Sequence, residues 1–121
     1  MSVSEKIEEL SEEVRSTKKY IAYKEAKKRF DEDKEARELL ERFQKIKGEI
    51  AILEEQSLEG LTEKKKEEER ISGEVLRNKT IQDYMKARKS YQEMVEGLAV
   101  ALSSQINFPI KLPEKKSCCG R

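Results

Sequence analysis

Two adjacent cysteines, Cys118 and Cys119, stand near the end of the chain, after Lys115-Lys116 and before Gly120-Arg121. Three readings of this pair stay open. As thiolates they can ligate zinc or an iron–sulfur cluster, but such centres normally take four ligands, so other chains would supply the remainder. Cys118 is also fourth from the end behind two lysines, the place of a prenylated cysteine, although a terminal Arg121 departs from the usual endings. The third reading is a free tail of no consequence. Adjacent cysteines rarely close a comfortable disulfide with each other. Elsewhere the chemistry thins out. The chain has no histidine, which excludes Ser-His-Asp and Cys-His nucleophilic machinery and His-ligated metal. Glu67-Glu68-Glu69 reads as a solvated helix face rather than a metal cluster. The five glycines are scattered, with no phosphate-cradling loop. The residue types therefore point to a chain that binds rather than catalyses. No cofactor is expected, save an iron–sulfur cluster or zinc held at Cys118 and Cys119 and shared with other chains.

Composition says what kind of scaffold carries these groups. Of 121 residues, 42% are charged and 36% hydrophobic, and there is no tryptophan. So little apolar material, placed at helical intervals, predicts long helices with narrow apolar stripes. The formal net charge is only +1, from 26 basic and 25 acidic residues, which gives no general reason to bind nucleic acid or membrane. The charges are uneven, however. Lys18, Lys19, Lys24, Lys27, Lys28 and Arg29 face a single acid, Glu25, within one short stretch. That stretch is either a solvated face or a docking patch for an acidic partner or RNA. The first residues contain no apolar signal region, and no stretch approaches the roughly 18 apolar residues of a membrane span. The expectation is a cytoplasmic protein.

The elements follow from caps and periodicity. Ser2-x-x-Glu5 has capping-box spacing ahead of a stripe at Ile7, Leu10 and Val14. Ser16 and Thr17 are N-cap types before Tyr20, Tyr23, Ala26 and Phe30, without forcing a break. Asp33 can cap a third helix, in which Leu39, Phe43, Ile46, Ile50 and Leu53 step by four and three residues, widened by Leu40 and Ile52. Gly48 within it permits close approach or is merely tolerated. A turn is expected over 56–61, with Gly60 as a left-handed cap and Thr62 capping the next helix. From Thr62 to Arg70 no residue is apolar, so that stretch reads as an exposed helix held by charge pairs such as Lys65–Glu69. Ile71, Val75 and Leu76 then give it something to bury. Thr80-x-x-Asp83 resembles a capping box for the last helix, whose seam is Tyr84, Ala87, Tyr91, Met94, Leu98 and Ala101. Met85, Val95, Leu102 and Ile106 broaden that seam, and Pro109 stops the helix. The expected domain is 1–108, helical, with a C-terminal tail over 109–121.

Two seams of three turns or more need partner surfaces. Within one chain they can close as an antiparallel helical hairpin or bundle of about four to five helices with coiled-coil-like seams. The final helix is apolar over more than one stripe, so self-association, as a homodimer, is expected to cover the excess.

The order of these features resembles the YlbF/YmcA-like (Com_YlbF) family of small helical bacterial regulators. The likeness runs from about Ile7 to Ile106. It takes in Ser16 to Phe30 with Tyr20 and Ala26-Lys27, then Asp33-x-x-Ala36-x-x-Leu39-Leu40-x-x-Phe43. Gln56 with the Gly60 turn follows, and then Asn78-x-x-Ile81-x-x-Tyr84 with the closing helix. The resemblance implies an oligomerising, non-enzymatic regulator. Relatives affect competence, sporulation and biofilm formation, some of them in a complex acting on messenger-RNA processing by ribonuclease Y. In that complex, cysteines near chain ends are linked to iron–sulfur clusters, a role that could transfer here only to Cys118 and Cys119.

Two further readings belong to other classes. One is an iron–sulfur or zinc accessory protein. The other is a prefoldin-like coiled-coil chaperone, which would need β-hairpins between its helices, where Thr62 to Arg70 shows no strand pattern. Binding of nucleic acid through the basic stretch would show as steep salt dependence.

Overall fold

The computed structural model describes residues 2–56 and 60–112, and every regular element among them is an α-helix. The elements are α1 (Val3–Arg15), α2 (Lys18–Glu32), α3 (Lys34–Gln56), α4 (Leu61–Arg77) and α5 (Lys79–Ile106). The all-α expectation holds, with five helices. Cys118 and Cys119 lie outside the described residues. The chain divides into two compact units, one from Lys28 to Asp83 and one joining the residues up to Lys27 with those from Tyr84 onward.

In the Lys28–Asp83 unit, Asp33 starts α3 as its residue type requires: its Oδ1 accepts from the Ala36 N–H at 3.0 Å. Ala36, Leu39, Leu40, Ile46 and Ile50 of α3 are buried with Ile71 and Val75 of α4. Each large side chain in such a core contributes roughly 1.5–3 kcal/mol before its entropy cost. Phe43 and Leu53, placed on the same seam by their spacing, are half-buried. Ile52 and Leu76, expected to widen the apolar faces, are instead exposed, each turned away from the α3–α4 contact. Gly48 has open space where a Cβ would stand, so it is tolerated rather than needed for close approach.

The charged run on α4 is helical, but its ion pairs differ from the expected Lys65–Glu69. Lys64 Nζ reaches Glu49 at 3.3 Å and Lys65 Nζ reaches Glu54 at 3.4 Å, both on α3. Farther along, Arg42 meets Glu74 at 3.5 Å. The pairs near the start of α4 fall late in α3 and the pair near its end falls early in α3, so the two helices form an antiparallel hairpin. The lysines bridge because their long stems cross to the acidic flank of α3, whereas the apolar stripe starts only at Ile71.

Two cap assignments change. Gly60, at φ +93°, is the residue before α4, so Thr62 falls inside the helix instead of capping it. At α5, the Oδ1 of Asn78 accepts from the Ile81 N–H at 3.0 Å. Thr80 is thereby the second helical residue, and its hydroxyl instead hydrogen-bonds Asp33. The Gln82 side-chain amide donates to the Val75 carbonyl at 3.0 Å, satisfying one of the free carbonyls at the end of α4.

In the other unit, Ser2 caps α1, its Oγ accepting from the Glu5 N–H at 3.2 Å. The return contact runs from the Ser2 hydroxyl to the Glu5 carboxylate. α1 and α2 are separate helices. Thr17 makes the joint: its Oγ1 donates to the Val14 carbonyl at 2.7 Å and accepts from the Tyr20 N–H at 3.2 Å. At the far end α5 stops before Pro109, because Asn107 takes a left-handed φ of 53°. The Phe108 N–H then returns to the Ser103 carbonyl, and the Ser103 hydroxyl donates to the Phe108 carbonyl at 2.7 Å.

Candidate protein-interaction site

All four tyrosines of the chain meet in the unit built from its two ends. The ring of Tyr23 stacks on that of Tyr91 at 5.2 Å and on that of Tyr84 at 6.2 Å, and Tyr20 tilts against Tyr91 at 5.5 Å. The spacing explains the meeting. Tyr20 and Tyr23 are three apart on α2, and Tyr84 and Tyr91 are seven apart on α5, so each pair lies along one helix face. Such aromatic pairs add roughly 0.5–1.5 kcal/mol beyond the area they bury. Desolvation, followed by the Tyr23 phenol, raises the Tyr84 pKa above 10.0. Desolvation and the phenols of Tyr20 and Tyr23 raise that of Tyr91. The rings are stacked on each other and partly withdrawn from solvent.

Away from this cluster, cover is lost on both helices that leave it. On α1, Val14 is half-buried, but Leu10 is 45% exposed, Ile7 58% and Val3 77%, and no residue of the helix is buried. On α5, Tyr84 is buried and Tyr91, Met94 and Val95 are half-buried, while Leu98, Leu102 and Ile106 are exposed, the last at 53%. The seam predicted as Tyr84, Tyr91, Met94 and Leu98 is thus continuous in the helix and only partly covered by the chain. The α1 stripe was legible as an amphipathic pattern, but nothing in its spacing says that it stays uncovered. Phe108, also exposed, was read only as the end of the folded part.

The segment after α5 folds back and, with Ala99, Val100 and Ser103, lines a shallow depression of about 590 Å³ that includes Ile110 and Leu112. Its walls are chiefly apolar and hold no cluster of titratable groups. Among the described residues, no group of three or more His, Cys, Asp or Glu side chains could hold a metal ion. No described helix is long and apolar enough to cross a membrane.

The basic stretch on α2 is distributed over the helix. Lys18, Lys19 and Lys24 are exposed in the unit that holds the tyrosines, where Lys27 is half-buried beside Tyr84. Lys28 and Arg29 are exposed in the Lys28–Asp83 unit.

The apolar stripes of α1 and α5 thus run on beyond the tyrosines with their outer residues exposed. The family model described as control of competence regulator ComK, YlbF/YmcA, matches residues 3–107. The chain belongs to the Com_YlbF family. That family is a regulatory one, and its match spans all five helices. No curated protein sequence matches the chain. Among solved structures, the X-ray crystal structure of Bacillus subtilis RicA in complex with RicF is similar at a TM-score of 0.73 and 20% identity, covering 87% of this chain and 93% of that one. At that identity the likeness shows that this Com_YlbF chain shares the fold.

Proposed function

We propose that this Com_YlbF chain is a non-enzymatic regulatory module that works by assembling with other proteins, both with itself and with other small regulators. The observation that carries the reading is the uncovered apolar stripe on α1 and α5, on a chain with no histidine and no ligand cluster among its described residues. The solved neighbour supports it in kind, being crystallised in complex with another protein. The finer reading is a role in a complex that modulates ribonuclease Y-dependent messenger-RNA processing, and through it competence, sporulation or biofilm formation. The test is an affinity pull-down of the full chain from its native cells under anaerobic conditions, with mass spectrometry and metal analysis of one eluate. A discrete protein partner in near-stoichiometric amount is expected, with ribonuclease Y or its associated proteins present if the finer reading holds. An eluate containing only the bait contradicts the reading.

Cys118 and Cys119 remain a proposal within the same experiment. Two thiolates fall short of the four that a cluster or structural zinc usually takes, so any metal would be shared with a partner chain. Iron with sulfide, or zinc, present in the partner complex and lost on Cys118→Ser with Cys119→Ser would assign them.

A further inference from the structure

Past Ile106 the chain turns back on the helix it has just left. Asn107, the first residue beyond α5, takes a left-handed φ of 53°, which asparagine tolerates better than most residues. The Phe108 N–H reaches back to the Ser103 carbonyl at 3.1 Å, and the Ser103 hydroxyl donates to the Phe108 carbonyl at 2.7 Å. One helical residue thus holds both backbone polar groups of Phe108. A serine inside a helix commonly donates its hydroxyl to the carbonyl one turn before it, as Ser11 does with Ile7. Ser103 instead turns its hydroxyl forward, to the segment that follows. Pro109 keeps Phe108 out of the helical region and sends the chain on extended. In an extended segment alternate side chains share a side, and Ile110 and Leu112 are such a pair.

The side of α5 under this segment differs from the seam that begins at Tyr84. From Gly97 to Ile106 every residue is exposed except Ala99 and Ser103, which are half-buried. Both line the depression that Pro109, Ile110, Lys111 and Leu112 close from the other side. Ile110 and Leu112 keep 37% and 38% of their surface exposed, against 68% for Phe108 and 70% for Val100. Each residue along a helix advances about 100° around it, so Ala99 and Ser103 lie about that far from Leu98 and Leu102, off the seam. Small side chains at 99 and 103 leave room for a backbone to come close to the helix, and the chain's own residues 108–112 use that room.

We propose that residues 107–112 are a strap, clasped by Ser103 over the Ala99–Ser103 side of α5, that holds the place of an extended segment from another protein with apolar residues at alternate positions. The strap itself shows what the surface accepts: Ile110 and Leu112 as the covered pair, with the exposed Lys111 between them. It is also easily lifted. Among the described residues its hydrogen bonds gather at its base, on Phe108, and its two apolar residues are only partly covered. Opening therefore breaks few contacts and exposes little surface. A partner segment of the same pattern displaces the strap and takes up the same side of the helix. This side of α5 is separate from the α1 and α5 stripes that carry the assembly reading, so the strap stands or falls without them.

The test is NMR of the isotope-labelled full chain, as wild type, as Ile110→Asp with Leu112→Asp, and as that pair with Val100→Glu. The altered positions lie beyond α5 or are exposed on it, so circular dichroism should show unchanged helix content. In the wild type, nuclear Overhauser contacts are expected from the Ile110 and Leu112 methyl groups to Ala99 and Val100. The probe is a synthetic peptide with the sequence of residues 107–112, Asn-Phe-Pro-Ile-Lys-Leu. It should shift the amide resonances of residues 99–103 in the double variant at a concentration at least tenfold lower than in the wild type, where the attached strap competes at a high effective concentration. Adding Val100→Glu should remove those shifts. Absence of the methyl contacts in the wild type overturns the proposal. So does a peptide that acts on wild type and double variant at the same concentration, or on neither up to the millimolar range.

Discussion

Tyr23 on α2 stacks against Tyr91 on α5 with ring centroids 5.2 Å apart and planes inclined by 16°. Two helices with α3 and α4 between them in sequence are joined there by a contact between their aromatic faces, and Tyr84 and Tyr20 extend it on either side. Tyr84 is the buried member, so Tyr84→Ala should destabilise the fold by about 3 kcal/mol or more, the range for truncating a buried aromatic. Tyr91→Ala, at a half-buried position, should cost less, and Tyr91→Phe less again, because stacking depends on the ring. Denaturant unfolding of the three variants checks the order.

The same cluster sets a dependence on alkaline pH. Burial raises the pKa of Tyr84 and Tyr91 above 10.0, so the folded state holds these protons more tightly than the unfolded chain does. The resulting stability is fully present below the ordinary tyrosine value and is lost as pH rises through the folded-state values. Tyrosinate absorbance should therefore show late ionisation that Tyr84→Phe and Tyr91→Phe each reduce. The delay should vanish in denaturant, and unfolding midpoints should fall above pH 10. Ionisation of Tyr84 and Tyr91 at the ordinary tyrosine value would remove the basis for the prediction.

At the start of α3 the sign is opposite. The Asp33 carboxylate accepts from the Ala36 N–H and from the Thr80 hydroxyl, and both lower its pKa, the backbone contact more. Its contribution is present above the ordinary aspartate value and is lost as pH falls through the folded-state value. Thr80→Val should move the Asp33 pKa back toward the ordinary value, read by carbon-detected NMR of the carboxyl group. Asn78→Ala removes the α5 cap and should cost about 1 kcal/mol.

On the α3–α4 hairpin, ion pairs and apolar contacts should separate cleanly. Lys64 and Lys65 pair with Glu49 and Glu54 in partly exposed positions, where such pairs are worth roughly 0–1 kcal/mol. Ile71 is buried, and Ile71→Ala should cost about 2–5 kcal/mol. Thermal unfolding of Lys64→Ala, Lys65→Ala and Ile71→Ala should show small shifts for the lysines, shrinking further in high salt, and a large salt-insensitive one for the isoleucine.

The helices, their approximate ends and the α3 seam could be read from residue types because those depend on local rules: caps, turns and a period near 3.6. Asp33, Ser2 and Thr17 cap as their side chains suggest. What failed depends on neighbours far away in sequence. Thr80 has the right chemistry for a cap, yet Asn78 two residues earlier takes the position and leaves Thr80 to Asp33. Lys65 has an acid four residues on, but the acid it meets is Glu54 on another helix. Ile52 and Leu76 have the right hydropathy and face the wrong way. Tyr84 and Tyr91 were placed on one seam by spacing alone, whereas their partners Tyr20 and Tyr23 could be found only in three dimensions. The candidate site was the least legible part, since Ile7 and Leu10 have the same spacing whether a chain covers them or leaves them open.

A Com_YlbF chain that works by holding other protein chains must be recoverable with them. The anaerobic pull-down of the full chain from native cells tests it most directly. A discrete protein partner is expected in near-stoichiometric amount, retained through washing. Recovery of the bait alone, across repeated growth conditions, would contradict it.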